Sequence, residues 1–144
     1  LDTERGYHIM FENNNNLITH PVGWAKTGFY MTPMHDGIRA AGTVEIAGLK
    51  KPMNKNMLSM IEKTARRLLP GLGKVKSQWM GFRPTLPDSL PIIGESQKCK
   101  NVYYAFGHQH LGLSLAALTG KVVHSLIENK RSNINIDQLN PYRF

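Results

Sequence analysis

The chain has 144 residues, of which 41% are hydrophobic and 19% charged, so it can form a buried core and is not a disordered protein. Lysine and arginine number 18 against 10 acidic residues, which gives a formal net charge of +8. The basic residues are scattered rather than clustered with aromatic residues, a pattern typical of solvated faces and not of a nucleic-acid-binding protein. A single cysteine excludes an internal disulfide framework.

No targeting signal is expected from the start of the sequence. It opens with Leu1-Asp2-Thr3, without an initiator methionine or the basic and apolar regions of a signal peptide. No apolar run approaches the roughly 20 residues that cross a bilayer. We therefore expect a fragment of a longer protein, cytoplasmic or peripheral at the inner face of the cytoplasmic membrane, with no transmembrane segment.

The first part of the chain is predicted to be mostly antiparallel sheet. Short β-prone runs, separated by turn residues, cover residues 6–12, 17–20, 28–32 and 37–46. The four asparagines at residues 13–16 predict a polar turn. Residues 29–45 read as a hairpin, and the Asp36-Gly37 pair is expected at its tip.

Two helices are predicted from apolar residues that recur every three or four positions. The first repeat runs from Leu58 to Leu72, with Asn54 or Asn56 as its N-cap and Pro70 near its end. The second repeat comprises Leu111, Leu115, Leu118, Val122 and Leu126. Strands are predicted between the helices, at residues 75–82, 92–94 and 102–106.

Arg83 is the first residue to which the sequence assigns a chemical role. It stands at the end of a predicted strand and directly before Pro84, which holds its backbone extended. A guanidinium presents a planar fork of donors that matches a carboxylate bidentately. Two interpretations stay open: Arg83 binds a ligand carboxylate, or it pairs with a nearby acid such as Asp88.

The turn from Gly107 to Gly112 is the second candidate segment. Glycines let the backbone approach a ligand closely, and the start of the following helix offers unpaired N–H donors to a negative group. A plain strand-to-helix turn is the alternative. His108 and His110 would share one face of a strand, as some metal sites require, but no third ligand stands nearby and we expect no metal.

Several motifs in consecutive order resemble one enzyme family. The run Gly81-Phe82-Arg83-Pro84, with Pro87-Asp88 and Pro91-Ile92-Ile93-Gly94, resembles the G-x-R-P…P-D…P-x-[IV]-G signature of FAD-dependent D-amino-acid dehydrogenases and oxidases, a group that includes glycine oxidase and sarcosine oxidase. Residues 101–108, 110–114 and 118–120 are similar to the family's C-terminal flavin-contacting loop and helix. Residues 4–8 and 37–45 look like strands of its substrate domain.

The resemblance implies an α+β fold, in which an antiparallel or mixed β-sheet substrate domain carries two main helices and the second helix follows a flavin-contacting loop. Residues 1–95 would form the substrate-binding sheet domain with one helix, and residues 96–144 the C-terminal strand, loop and helix of the FAD-binding part. The family's N-terminal Rossmann segment, with its G-x-G-x-x-G motif, has no counterpart here. The chain therefore resembles a C-terminal fragment of the enzyme.

The activity that the resemblance implies is oxidation of D-amino acids, or of a related small amino acid, by hydride transfer from the α-carbon to FAD. Arg83 would clamp the substrate carboxylate, Tyr7 is a second candidate for a substrate contact, and no side-chain base is required. The residues expected to contact the FAD cofactor are Gly107, His108, His110, Leu111, Gly112, Leu113 and Ser114.

The expected partners follow from the same resemblance. They are a small amino acid substrate, the missing N-terminal FAD-binding domain and a second copy of the chain, because removal of a domain leaves apolar surface exposed. No nucleic acid is expected. The alternative to an enzyme fragment is a folded non-catalytic module that only binds or oligomerises.

Overall fold

The computed structural model describes residues 1–13 and 16–144. They divide into two compact units: Glu4–Phe82, called the sheet unit below, and Leu1–Thr3 together with Arg83–Phe144, called the C-terminal unit. Antiparallel sheets accompany two helices, so the predicted α+β class is confirmed. The boundary between the two units lies between Phe82 and Arg83. The boundary expected after residue 95 was drawn between a substrate-binding part and an FAD-binding part, and it stays a prediction.

Five strands form one sheet in the order β2-β3-β4-β1-β5. Their bounds are Asp2–Phe11 for β1, Val22–Trp24 for β2, Phe29–Met34 for β3, Gly37–Ile46 for β4 and Val75–Thr85 for β5. Strand β4 pairs antiparallel with both β1 and β3, and β3 pairs antiparallel with β2. The strand predicted at residues 17–20 is wrong, since the chain becomes extended only after Pro21. The predicted turn at residues 13–16 lies partly outside the described residues.

The hairpin between β3 and β4 turns one residue earlier than predicted. Met34 pairs with Gly37, so His35 and Asp36 form the two-residue loop and Gly37 already belongs to β4. Gly37 has a φ of +147°, and a Cβ atom there would overlap the carbonyl oxygen of Phe11. Glycine is needed at this position because a neighbouring strand approaches its backbone, and not only because the chain turns.

Helix α1 spans Lys55–Leu68, and the side chain of Asn54 caps it by accepting a hydrogen bond from the Asn56 backbone N–H at 3.0 Å. The helix ends before Pro70, as predicted. One face of α1 packs on the sheet, because its apolar repeat meets alternate residues of the strands. The buried core of the sheet unit contains Tyr7, Ile9, Phe11, Phe29, Met31, Ile38, Ala40, Leu58, Ile61, Ala65 and Leu72.

The C-terminal unit is built from an antiparallel pair of strands and one helix. The strands are β6 (Ile92–Glu95) and β7 (Tyr103–Phe106), and the helix is α2 (Gly112–Ile127). Of the apolar repeat predicted on α2, only Val122 is fully buried, while Leu111 and Leu118 are 46% and 45% exposed. Within the described residues this stripe is therefore only partly covered. Neither this helix nor any other helix of residues 1–13 and 16–144 is long and apolar enough to span a membrane.

Candidate functional site

Arg83 lies near the end of β5 with its side chain half-buried. Its guanidinium makes no hydrogen bond or ion pair within residues 1–13 and 16–144. The alternative that Arg83 pairs with Asp88 is wrong, because Arg143 binds that carboxylate with Nε 2.6 Å from Oδ2 and Nη2 3.1 Å from Oδ1. The donor fork of Arg83 is therefore available for a carboxylate from outside.

The loop that precedes α2 is held against the end of β5. The Gln109 backbone N–H donates to the Pro84 carbonyl at 3.2 Å, and Gln109 Nε2 donates to Thr85 Oγ1 at 2.9 Å. Gly107 has a φ of +80°, and a Cβ atom there would lie 2.6 Å from Leu86 Cδ1. The structure thus brings together the two segments that the sequence singled out separately.

Gln109 is a site residue that the sequence reasoning missed. Its backbone has a φ of +52°, which non-glycine residues adopt rarely and which turns its N–H toward Pro84. The glycines around it suggested a tight turn. Nothing in the residue types indicated that a glutamine side chain would join this turn to β5.

The two histidines of the loop have different surroundings. His108 is half-buried, and its Nε2 lies 2.9 Å from Thr119 Oγ1, so the ring fixes the loop to the second turn of α2. His110 is exposed. Both lie in the loop between β7 and α2 and not on a strand. In the part of the chain that the structure describes, no group of three or more metal-ligating side chains is found.

Helix α2 begins without a side-chain cap. Leu111 occupies the N-cap position, and the first turn contains no acidic residue. Among the described residues, no side chain therefore caps the backbone N–H groups of Gly112, Leu113 and Ser114 at the positive end of the helix dipole. Leu113 is 94% exposed, so this end of the helix is accessible.

Tyr7 lies in the core of the sheet unit with only 1% of its surface exposed. Its hydroxyl donates to Glu45 Oε2 at 2.5 Å and accepts hydrogen bonds from Arg5 Nη2 at 3.1 Å and from the Asn54 backbone N–H at 3.2 Å. The pKa of Glu45 is lowered most by the hydrogen bond from the Tyr7 hydroxyl, and next by one from the Asn54 side chain, whose Nδ2 donates to Glu45 Oε1 at 2.8 Å. This is the geometry of a structural residue, and a substrate contact of Tyr7 gains no support from it.

The comparison with protein families decides the identity of the fold. A model of the family described as FAD dependent oxidoreductase matches residues 1–126 of the 144. The chain belongs to the FAD dependent oxidoreductase family. The FAD prediction is thereby confirmed, since dependence on this cofactor defines the family.

Named members of the family are similar to the whole chain or to most of it. The D-amino-acid oxidase of Bradyrhizobium diazoefficiens is 36% identical over 150 residues, which cover 100% of this chain and 35% of the relative. The D-amino acid dehydrogenase of Vibrio atlanticus is 34% identical over 116 residues, which cover 79% of this chain and 28% of the relative. The chain thus spans about a third of the length of such relatives.

Solved structures of flavoenzymes share the fold. Glycine oxidase from Geobacillus kaustophilus superposes with a TM-score of 0.87 at 24% identity, covering 99% of this chain and 39% of the other. L-proline dehydrogenase from P. horikoshii superposes with a TM-score of 0.85 at 22% identity, covering 99% and 40%. The architecture predicted from the family resemblance is confirmed by both.

The residues present fit a flavin. A flavin ring has a polar edge that becomes negatively charged on reduction, and the uncapped first turn of α2, free of acidic side chains, offers it backbone N–H donors. Gly107 is buried in this loop with a φ of +80°, so a residue with a side chain would be strained there and would require Leu86 to shift. Contacts of FAD with individual residues of this chain, and the cellular location of the protein, stay predictions.

Proposed function

We propose that the chain is the substrate-binding and C-terminal flavin-contacting part of an FAD-dependent oxidoreductase that oxidises D-amino acids or a related small amino acid. The observation that carries the proposal is that the Arg83 guanidinium has no partner among the described residues, at a strand end that Gln109 joins to the loop before α2. The names of the D-amino-acid oxidase and dehydrogenase relatives support the substrate class.

Arg83 binds and orients the substrate. Its two parallel N–H donors fix the amino acid carboxylate in one plane, which determines where the α-carbon and its hydrogen lie. Pro84 keeps the Arg83 backbone extended, and the bonds of Gln109 to Pro84 and Thr85 hold this end of β5 in place. Such fixed positioning lowers the entropic part of the reaction barrier.

The loop and the first turn of α2 hold the cofactor. Backbone from Gly107 to Ser114, including His108, His110, Leu111, Gly112 and Leu113, contacts the ring, and the positive end of α2 favours negative charge at the ring edge. When bound, FAD supplies the acceptor for the hydride of the α-carbon. The substrate amine reacts in its neutral form, so no side chain of this chain has to act as a base.

The remaining contacts to FAD come from a part of the enzyme outside this chain. Relatives are about three times as long, and α2 exposes Leu113, Leu118 and Ile127 by 94%, 45% and 52%. Exposed apolar side chains on several sides of one helix are typical of an interface with another domain. We assign it to the N-terminal FAD-binding domain, with residues 1–95 serving the substrate and residues 96–144 the flavin.

A second candidate function rests on the same exposed apolar side chains of α2. If no FAD-binding domain covers Leu113 and Leu118, a second copy of the chain does, and the protein is a folded module that binds or self-associates without turnover. The two candidates differ in Arg83, which only the enzyme requires.

Replacement of Arg83 tests the proposal. In an FAD-loaded full-length enzyme that carries this segment, we expect Arg83→Ala to lower kcat/KM for D-alanine by about 10- to 150-fold, mainly through KM, because a charged hydrogen-bonded contact of about 1.5–3 kcal/mol is lost. Steady-state kinetics with D-alanine measures the change.

Arg131→Ala is the matched control, since Arg131 is an exposed cation of the same unit and lies outside the loop before α2. We expect this variant to keep the original KM. A value of kcat/KM that stays within about threefold in Arg83→Ala would contradict the carboxylate clamp and with it the proposed function.

A further inference from the structure

The sheet unit contains a cavity of about 290 Å³, lined by residues of α1, of β3 and β4, and of the turn before β3. This volume lies near the lower end of the range of about 300–1,000 Å³ that small-molecule sites occupy. The inner wall of the cavity is apolar, since Phe29 and Ile61 are only 3% and 0% exposed. Every lining residue belongs to the sheet unit, so the cavity is complete within that unit.

The cavity lies at a bulge in β4. The register between β1 and β4 shifts between Tyr7 and His8, so Gly42 is an extra residue of β4 that pairs with no residue of β1. Gly42 lines the cavity, and a Cβ atom there would lie 2.7 Å from the Gly28 carbonyl oxygen. Only glycine fits at this position unless the backbone moves. The backbone therefore fixes this wall of the cavity.

Two hydroxyl groups of the lining lack a partner. Thr43 is 7% exposed, and its Oγ1 makes no hydrogen bond in residues 1–13 and 16–144. The hydroxyl of Thr64, which is half-buried on α1, makes none in that part of the chain either. Buried polar groups without a partner are rare in native proteins, because each one costs free energy. The lining thus has hydrogen-bonding groups that the described residues do not use.

The rim of the cavity is positively charged. The exposed Arg67 lines the cavity, and Lys63 lines an adjoining cavity that shares two residues with it. Neither cation forms an ion pair or hydrogen bond with another described residue, and no acidic residue among those described lines either cavity. The two charges outweigh the partial negative charge, about half an elementary charge, at the end of α1. The rim is therefore complementary to an anion.

We propose that this cavity binds a small carboxylate with a compact apolar body, such as a branched or aromatic monocarboxylate. The apolar body packs against Phe29 and Ile61, and the carboxylate accepts hydrogen bonds from the Thr64 hydroxyl and from the Arg67 guanidinium at the rim. Arg83 is not among the lining residues. The proposal therefore goes beyond the proposed function and does not depend on it.

The test is a titration of 4-fluorophenylacetate into the chain, followed by ¹⁹F NMR. It uses Arg83→Ala, which removes the other candidate contact for a carboxylate. We expect saturable binding with a Kd of about 1 mM or below, and about five- to tenfold weaker binding of the neutral 4-fluorophenylacetamide, which cannot pair with the cations. Equal affinities of acid and amide, or no saturable binding at about 10 mM ligand, would overturn the proposal.

A charge variant tests the rim. Arg67→Gln is expected to weaken binding of the acid about two- to fivefold, the effect of an exposed ion pair, and to leave binding of the amide unchanged. Lys55→Gln is the matched control, because Lys55 is an exposed cation of the same helix that lines neither cavity. Equal losses in the two variants would mean unspecific attraction by the net charge and would contradict the assigned site.

A second variant tests the location. Thr64→Phe fills the cavity and is expected to abolish binding of both ligands. If this variant does not fold, Thr64→Val keeps the size of the side chain but removes the hydroxyl, and it should weaken binding of the acid about two- to tenfold. Unchanged binding in the variant that folds overturns the proposal.

The same titration in the FAD-loaded full-length enzyme with Arg83→Ala completes the test. We expect the same Kd as in the chain. Loss of binding in the full-length enzyme would mean that a segment outside this chain occupies the cavity, and the proposal would then be wrong. An unchanged kcat/KM for D-alanine in Arg83→Ala would overturn the proposed function and leave this site unaffected.

Discussion

Arg5 and Arg83 carry the same guanidinium in opposite surroundings. Arg5 is completely buried, donates to the Pro52 carbonyl at 2.7 Å and lies 3.5 Å from Glu45 Oε2, so its charge is compensated inside the protein. Arg83 is half-buried and has no partner within the described residues. A buried charge requires compensation, whereas one near the surface can stay solvated until a ligand arrives. The contrast between the two surroundings is the reason why the proposed function assigns the substrate carboxylate to Arg83 and not to Arg5.

The hydroxyl of Tyr7 connects three elements of the sheet unit. Its partners are Arg5 on β1, Glu45 on β4 and the backbone N–H of Asn54, the residue that caps α1. Each of these groups is partly or fully buried and would otherwise lack one of its hydrogen bonds. Loss of the hydroxyl therefore leaves several polar groups unsatisfied at once.

Tyr7→Phe is expected to destabilise the chain by about 1–3 kcal/mol, the cost of leaving buried partners of one hydroxyl unsatisfied. The pKa of Glu45 should rise toward its ordinary value, because the hydrogen bond that lowers it most is gone. Urea unfolding and the carboxyl resonance of Glu45 measure the two effects. Tyr30→Phe is the control. Because Tyr30 is 58% exposed, removal of its hydroxyl should change the free energy of unfolding by no more than about 0.5 kcal/mol. Equal stability of the two variants would contradict the structural role of Tyr7.

At the scale of elements, the hairpin of β3 and β4 shows how a neighbouring strand constrains a turn. Gly37 pairs with Met34 in the hairpin, while its other side faces the Phe11 carbonyl of β1. Sequence reasoning identified the turn from the Asp36-Gly37 pair. The turn lies one residue earlier than predicted because Gly37 already belongs to β4, where the backbone of β1 approaches it closely. The residues in contact, Phe11 and Gly37, are 26 positions apart in the sequence.

Gly37→Ala is expected to destabilise the chain by about 3 kcal/mol or more, because a Cβ atom meets backbone there and the positive φ adds strain. Gly48→Ala is the matched control: its φ is +62°, but nothing lies within 4 Å of the added atom, so only the strain of about 1–2 kcal/mol is expected. Urea unfolding midpoints at constant m-value compare the two. A smaller loss in Gly37→Ala than in Gly48→Ala would mean that β1 does not approach Gly37 as described.

At the scale of the whole molecule, the two units differ in how fully their helices are covered. Three residues of α1 are buried in the core of the sheet unit, namely Leu58, Ile61 and Ala65. On α2 only Val122 is fully buried, although the helix is longer and more apolar. A helix that is apolar beyond its buried stripe requires a further partner. In the proposed enzyme this partner is the FAD-binding domain.

The isolated chain is therefore expected to self-associate through α2. Leu113→Glu should shift it toward the monomer in sedimentation velocity without lowering its thermal midpoint, because Leu113 is 94% exposed. Ser114→Glu is the matched control: it adds the same charge to the same helix turn, with the same favourable dipole interaction, but removes no apolar surface. A concentration-independent monomer of the unaltered chain would contradict the prediction.

The sequence by itself determined the elements and the family. The apolar periods predicted both helices and most strands, and the run of motifs around Arg83 and Gly107 predicted the flavoenzyme fold, because these signals lie within short segments. Their bounds shifted by a few residues where local patterns end gradually, as at Leu68 and Thr85.

Only the tertiary structure decided which polar groups are paired. Asp88 stood close to Arg83 in sequence, yet its partner is Arg143, 55 positions away. The sequence offers Tyr7 as a candidate for a substrate contact, whereas in the structure its hydroxyl is bonded to Glu45 and to the Asn54 backbone. Pairing of charges depends on distances of a few ångströms between residues remote along the chain, and no local pattern records such distances. That Arg83 has no partner among the described residues is therefore a property of the fold, although its place near the strand end was already evident from the sequence.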